Sequence, residues 1–117
     1  MTPLINNSTY GVFKKHPDSL VVVLKSRGNP DHHQNPREPV SPEAMRSCDT
    51  FREASELCRA YIGTYNIGGG NWTGGQIYHP VKGLIAHVSY NGRVWQSTTG
   101  EWEPDREEVD DIDSNDY

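Results

Sequence analysis

Leu20-Val21-Val22-Val23-Leu24 is an unbroken run of five aliphatic residues in a chain where such residues are scarce. A run of this length is short for a buried helix, and its β-branching favours extended backbone. Because no polar residue alternates with the apolar ones, it predicts a strand covered on both faces and central in its sheet. His16-Pro17-Asp18-Ser19 precedes it with turn chemistry, and Thr9–Lys15 alternates weakly before that, which together predict an N-terminal β-hairpin.

The rest of the core must come from few residues. Leu, Ile, Val and Phe number 22 of 117. The deficit is local: Arg27–Ser41 and Thr99–Tyr117 hold only Val40, Trp102, Val109, Ile112 and Tyr117 as apolar side chains. The remaining residues suffice for one small core. Charge is also uneven, with 10 Lys/Arg and 7 Asp/Glu over residues 1–100 (+3), against Arg106 and nine carboxylates over 101–117 (−8). This predicts one domain over residues 1–100, interrupted by a flexible Pro-rich loop at 27–41 and followed by a disordered acidic tail at 101–117. Met1–Tyr10 has no signal-peptide pattern and no run is long enough to span a membrane, so a cytoplasmic protein is expected.

Ser41, Pro42 and Glu43 form a helix-start pattern, and Ala44, Cys48, Phe51, Ala54, Leu57, Cys58, Tyr61 and Ile62 recur at helical spacing. The prediction is one amphipathic helix from Ser41 to Ile62, stopped at Gly63. Its two cysteines would lie about 15 Å apart along the axis, too far to bridge and buried as free thiols. Asp49/Arg52 and Glu56/Arg59 are three apart and are expected to pair on its wet face.

Three strands follow, at Asn71–Tyr78, Leu84–Tyr90 and Arg93–Thr98, the last two joined by Asn91-Gly92. A two-residue turn there sets Val88 opposite Trp95 and Ala86 opposite Ser97. Closure at His79–Gly83 sets Tyr78 opposite Leu84 and Gln76 opposite Ala86. Trp72, Tyr78, Leu84, Ala86, Val88, Tyr90 and Trp95 would then face the helix, with Gly74 leaving room for Trp95 or for the helix. Thr73, Gly75, Ile77, Ile85, His87, Ser89, Val94 and Gln96 would form the other face. The expected fold is a small α+β domain: an N-terminal β-hairpin, one amphipathic helix and a three-stranded antiparallel meander packed on it.

Few residues suggest chemistry. Gly68-Gly69-Gly70-Asn71-Trp72-Thr73-Gly74-Gly75 is rich in glycine but lies after a helix and before a strand, the reverse of a phosphate loop, and has no Gly-Lys-Ser/Thr. His32, His33 and His79 have no metal-ligand spacing, and the cysteines form no Cys-x-x-Cys pair. No metal, no cofactor and no catalytic residue is assigned. The tail interleaves carboxylates with apolar anchors, so Trp102, Glu103, Asp105, Glu107, Glu108, Val109, Asp110, Asp111 and Ile112 are the candidate partner-binding residues. Ile77, Ile85, His87 and Gln96 are candidate contacts on the open sheet face.

These features point to a non-catalytic protein-binding module, an inhibitor or regulator whose acidic-aromatic tail meets a basic partner that handles nucleic acid. Two alternatives stand beside it. One is a weak nucleic-acid binder using Lys14, Lys15, Lys25, Arg27, Arg37, Lys82 and Arg93 with Tyr10, Trp72 and Tyr90, its own tail competing for that surface. The other is a small enzyme centred on His87.

Overall fold

The computed structural model describes residues 19–99 and 106–114. Among them, a single α-helix packs on a five-stranded antiparallel sheet. The strands are β1 (Leu20–Leu24), β2 (Ala44–Cys48), β3 (Gln76–His79), β4 (Gly83–Val88) and β5 (Val94–Gln96), arranged in the order β2-β1-β3-β4-β5. The helix, α1 (Phe51–Tyr65), lies between β2 and β3 in the chain. This is the α+β domain expected from the sequence. None of the described helices is long and apolar enough to cross a membrane.

β1 takes the inner position its sequence predicts, with β2 along one edge and β3 along the other. Leu20, Val22 and Leu24 are buried on the helix side, while Val21 and Val23 are only half-buried, so cover is complete on one face alone. The expected hairpin partner Thr9–Lys15 lies outside the described residues. Both edges of β1 are taken by other strands, β2 and β3.

β2 is the main departure from the sequence reading. Residues 44–48 were expected in the first turns of the helix, but they form a strand paired along its length with β1, from Leu20↔Cys48 to Leu24↔Ala44. The helix starts at Thr50, whose side chain accepts from the Glu53 N–H at 3.1 Å, while Glu53 Oε1 accepts from the Asp49 N–H at 2.6 Å. This is a variant of the capping box, Glu53 reaching back to the residue before the cap, and it lies nine residues beyond the apparent start at Ser41. At the other end the helix continues through Gly63 to Tyr65 and closes on Asn66, at φ 53°. Cys48 and Cys58 therefore do not share a helix: one is on β2, the other on α1, and both are buried thiols outside any disulfide.

The meander forms with two shifts of register. A bulge between Ile77 and Tyr78 preserves Tyr78↔Leu84 but moves Gln76 from Ala86 to His87. The β4–β5 loop has three residues, Tyr90-Asn91-Gly92, closed by Ser89 N–H to Arg93 O and Gly92 N–H to Ser89 O, both 2.9 Å, with Gly92 at φ 92°. One extra loop residue reverses the facing of the next strand. Val94 is thus the core residue opposite Val88, and Trp95 lies outside, opposite His87. Tyr78 and Tyr90 are exposed, and Ile77 and Val94 replace them in the core.

The Pro-rich segment has a defined path. Pro30–His32 form a 3-10 turn capped by Asn29, and Gln34 Oε1 accepts from Asn29 N–H at 2.9 Å and Asn71 Nδ2 at 2.8 Å. Gly28 N–H reaches Glu38 O at 2.9 Å, closing the segment on itself. At its exit Ser26, Ser41 and Tyr61 form a hydroxyl chain ending at Pro42 O, which ties the segment to the helix.

Candidate protein-binding site

Edge strands need cover, and β5 receives it from the acidic segment. Gln96 N–H donates to Glu107 O and Val109 N–H donates to Val94 O, both at 2.8 Å, and Glu108 bridges Trp95. Four residues after this bridge the chain reaches the helix start. Arg52 N–H, one of the first-turn donors a helix leaves without an internal acceptor, donates to Ile112 O at 2.8 Å. The Arg52 guanidinium pairs with the Asp113 carboxylate, which lowers the Asp113 pKa and raises that of Arg52. Residues 106–114 are therefore a strap across sheet edge and helix end, where a disordered tail was expected.

The strap sorts its residues by chemistry. Val109 and Ile112 are half-buried against the core, whereas Glu107, Glu108, Asp110 and Asp111 are exposed. The apolar residues that were expected to anchor a partner hold the strap to its own domain instead. Beside it lies an open cleft of about 610 Å³, lined by Phe51, Lys82, Ile85, Gln96, Val109, Asp111 and Ser114. Apolar carbon forms much of its lining, with Asp111 contributing a carboxylate and Lys82 a cation. Trp102, Glu103 and Asp105 lie outside the described residues.

The four sheet-face candidates do not share a surface. Ile77 is fully buried in the core and cannot touch a partner. Ile85 packs against the core and, with exposed Gln96, lines the strap cleft. His87 lies apart, its Nε2 at 3.1 Å from Gly74 O, which fixes a proton on Nε2. Burial lowers its pKa, the Gly74 bond opposes this, and the Arg106 charge lowers it further, which favours the neutral ring. His79 closes the β3–β4 turn, its Nδ1 accepting from Val81 and Lys82 N–H at 3.0 and 3.1 Å.

Burial and the nearby Cys48 push the Cys58 thiol up to about 12, unfavourable for a nucleophile. Among the described residues no group of three or more His, Cys, Asp or Glu is placed to hold a metal ion. Arg52 and Arg59 do not form the helical pairs their spacing suggests. Arg52 goes to Asp113, and Arg59 donates to Tyr90 O at 2.5 Å with its guanidinium 5.7 Å from the Tyr90 ring centre. No protein-family model, no curated protein and no solved structure matches this chain.

Proposed function

We propose that this protein is a non-catalytic protein-binding module that presents residues 107–112 as an acidic ridge to a basic partner. The supporting observation is the pairing of Glu107 and Val109 with β5, which fixes four exposed carboxylates along a sheet edge. A disordered acidic segment loses conformational entropy when it binds; a strap already held by backbone bonds and two apolar residues loses less. The adjoining cleft offers a lysine or arginine of the partner apolar cover for its methylene stem at Phe51, Ile85 and Val109 and the Asp111 carboxylate for its charge, which outweighs the like charge of Lys82 once the neighbouring Asp110 and Glu108 are counted. A protein that handles nucleic acid offers such a surface, and the ridge would occupy the place of phosphates. Inhibition or regulation of that partner is the corresponding role.

The test neutralises charge without removing the strap. A variant carrying Glu107→Gln, Glu108→Gln, Asp110→Asn and Asp111→Asn keeps the β5 pairing and the Arg52–Asp113 contact. It is expected to melt with the wild type and to lose salt-sensitive capture of basic proteins, with polylysine as a reference ligand. Equal capture by the two proteins would refute the reading.

A further inference from the structure

The strap closes one edge of the sheet; β2 forms the other, and no described strand lies beside it. Which backbone groups it offers follows from β1. Gly75 N–H donates to Val23 O at 2.7 Å, so Val23 turns its polar groups toward the β3 side. In antiparallel pairing successive residues alternate between neighbours. Leu20, Val22 and Leu24 therefore turn theirs toward β2, where Cys48, Arg46 and Ala44 answer them. Met45 and Ser47 are left with their N–H and C=O groups directed at the open edge.

We propose that β2 pairs antiparallel with β2 of a second copy of this chain, about a two-fold axis at Met45. A two-fold axis perpendicular to the sheet must pass beside one central residue, and three positions are available. Centred on Arg46, the pairing sets two guanidinium-bearing side chains directly opposite each other. Centred on Ser47, it requires the Asp49 N–H, already bonded to Glu53 Oε1. Centred on Met45, it has neither defect: Ala44 lies opposite Arg46 of the other copy, and Glu43 opposite Ser47.

The side chains complement each other in that register. Ala44 is small and borders a cleft of about 590 Å³ that Leu57, Tyr61 and Tyr65 also line. Glu43 and this copy's own Arg46 line it as well, so the Arg46 of the second copy enters beside a like charge that Glu43 offsets, its guanidinium reaching the face of Tyr65. On the other face, Met45 is 67% exposed beside a concavity of about 710 Å³ lined by Val21, Val23 and Tyr78. The two Met45 side chains meet over it. The Arg46 guanidinium now donates to Met45 O at 3.0 Å and must move aside, but that bond is solvent-exposed and weak. Because the strap holds the β5 edge, association stops at two copies.

Sedimentation equilibrium over a concentration series tests this on the full chain. The expected result is a reversible dimer of micromolar or weaker affinity, since the shared edge is short. Ser47→Pro removes an outward N–H without touching the ladder to β1, and Met45→Lys sets two ammonium groups at the axis; each should raise the dissociation constant at least about tenfold. Circular dichroism checks that the variants fold, and if Ser47→Pro does not, Met45→Lys decides. A wild type that stays monomeric up to about 1 mM would overturn the proposal. So would dimers unaffected by Met45→Lys, or growth beyond two. Neutralising the strap carboxylates should leave the dimer unchanged, which separates this proposal from the acidic-ridge reading.

Discussion

Gly75 has φ 99°, and a Cβ there would stand 2.2 Å from Val88 O. Both conformation and space exclude a side chain where the chain passes into β3. Gly75→Ala should therefore lose at least about 2 kcal/mol, read as a drop in the urea midpoint. Gly74 is crowded for another reason: its Cβ would meet Val23 O, Lys25 N and the Trp72 ring, so the space is needed by β1 and Trp72, not by Trp95 or the helix. His87 gives a pH dependence of definite sign. Its pKa is lowered in the folded state, so the unfolded chain takes up the proton first as acid is added. The stability contributed by the neutral ring is complete above the unfolded value of about 6.5 and declines as pH falls toward the folded value. Urea midpoints should fall across that window in the wild type and fall less in His87→Gln.

At the scale of elements, the strap can be tested as a unit. Ile112→Ala should destabilise the fold by about 1 kcal/mol and raise hydrogen exchange at Val109 and Arg52 together, because both amides are held by the same segment. Thr50→Ala should also cost about 1 kcal/mol through loss of the helix cap, without loosening Val109. The sequence makes Leu20–Leu24, the core face of α1 and the existence of the meander legible, because each has a period or composition of its own. The start of the helix is not so plain. Ser41-Pro42-Glu43 imitates a helix entry, and Ala44 and Cys48 fall in phase with Phe51 and Ala54, yet pairing with β1 prevails over that pattern. The capping box from Thr50 to Glu53 was the discriminating signal. Asn91-Gly92 marks the turn but not its length, and the third loop residue decides whether Val94 or Trp95 is inside. The strap was hidden by its charge: nine carboxylates after residue 100 read as repulsion, while Val109 and Ile112, three apart, carry the signal that the segment packs.

For the whole molecule, the two proposed surfaces lie at opposite edges of one sheet. A dimer through β2 would carry an acidic ridge at each end, and a basic partner with repeated sites would then bind with avidity. Wild type should exceed Met45→Lys in retention on a dense polylysine surface and equal it on a sparse one, as surface plasmon resonance at graded coating would show. The placement of β1 has a consequence of another kind. Leu20–Leu24 is aliphatic with a β-branched centre, uncharged and free of proline, the composition that stacks most readily into cross-β fibrils. In the native sheet it is shielded on both sides, by β3 and by β2. β2 returns through a connection of nineteen residues, from Lys25 to Glu43, and among the described strands is the partner with fewer neighbours of its own. Lifting β2 alone would bare the stickiest stretch of the chain while helix and meander stay folded. The hazard to this protein in a crowded solution is then set less by its global stability than by how often that one edge strand comes away.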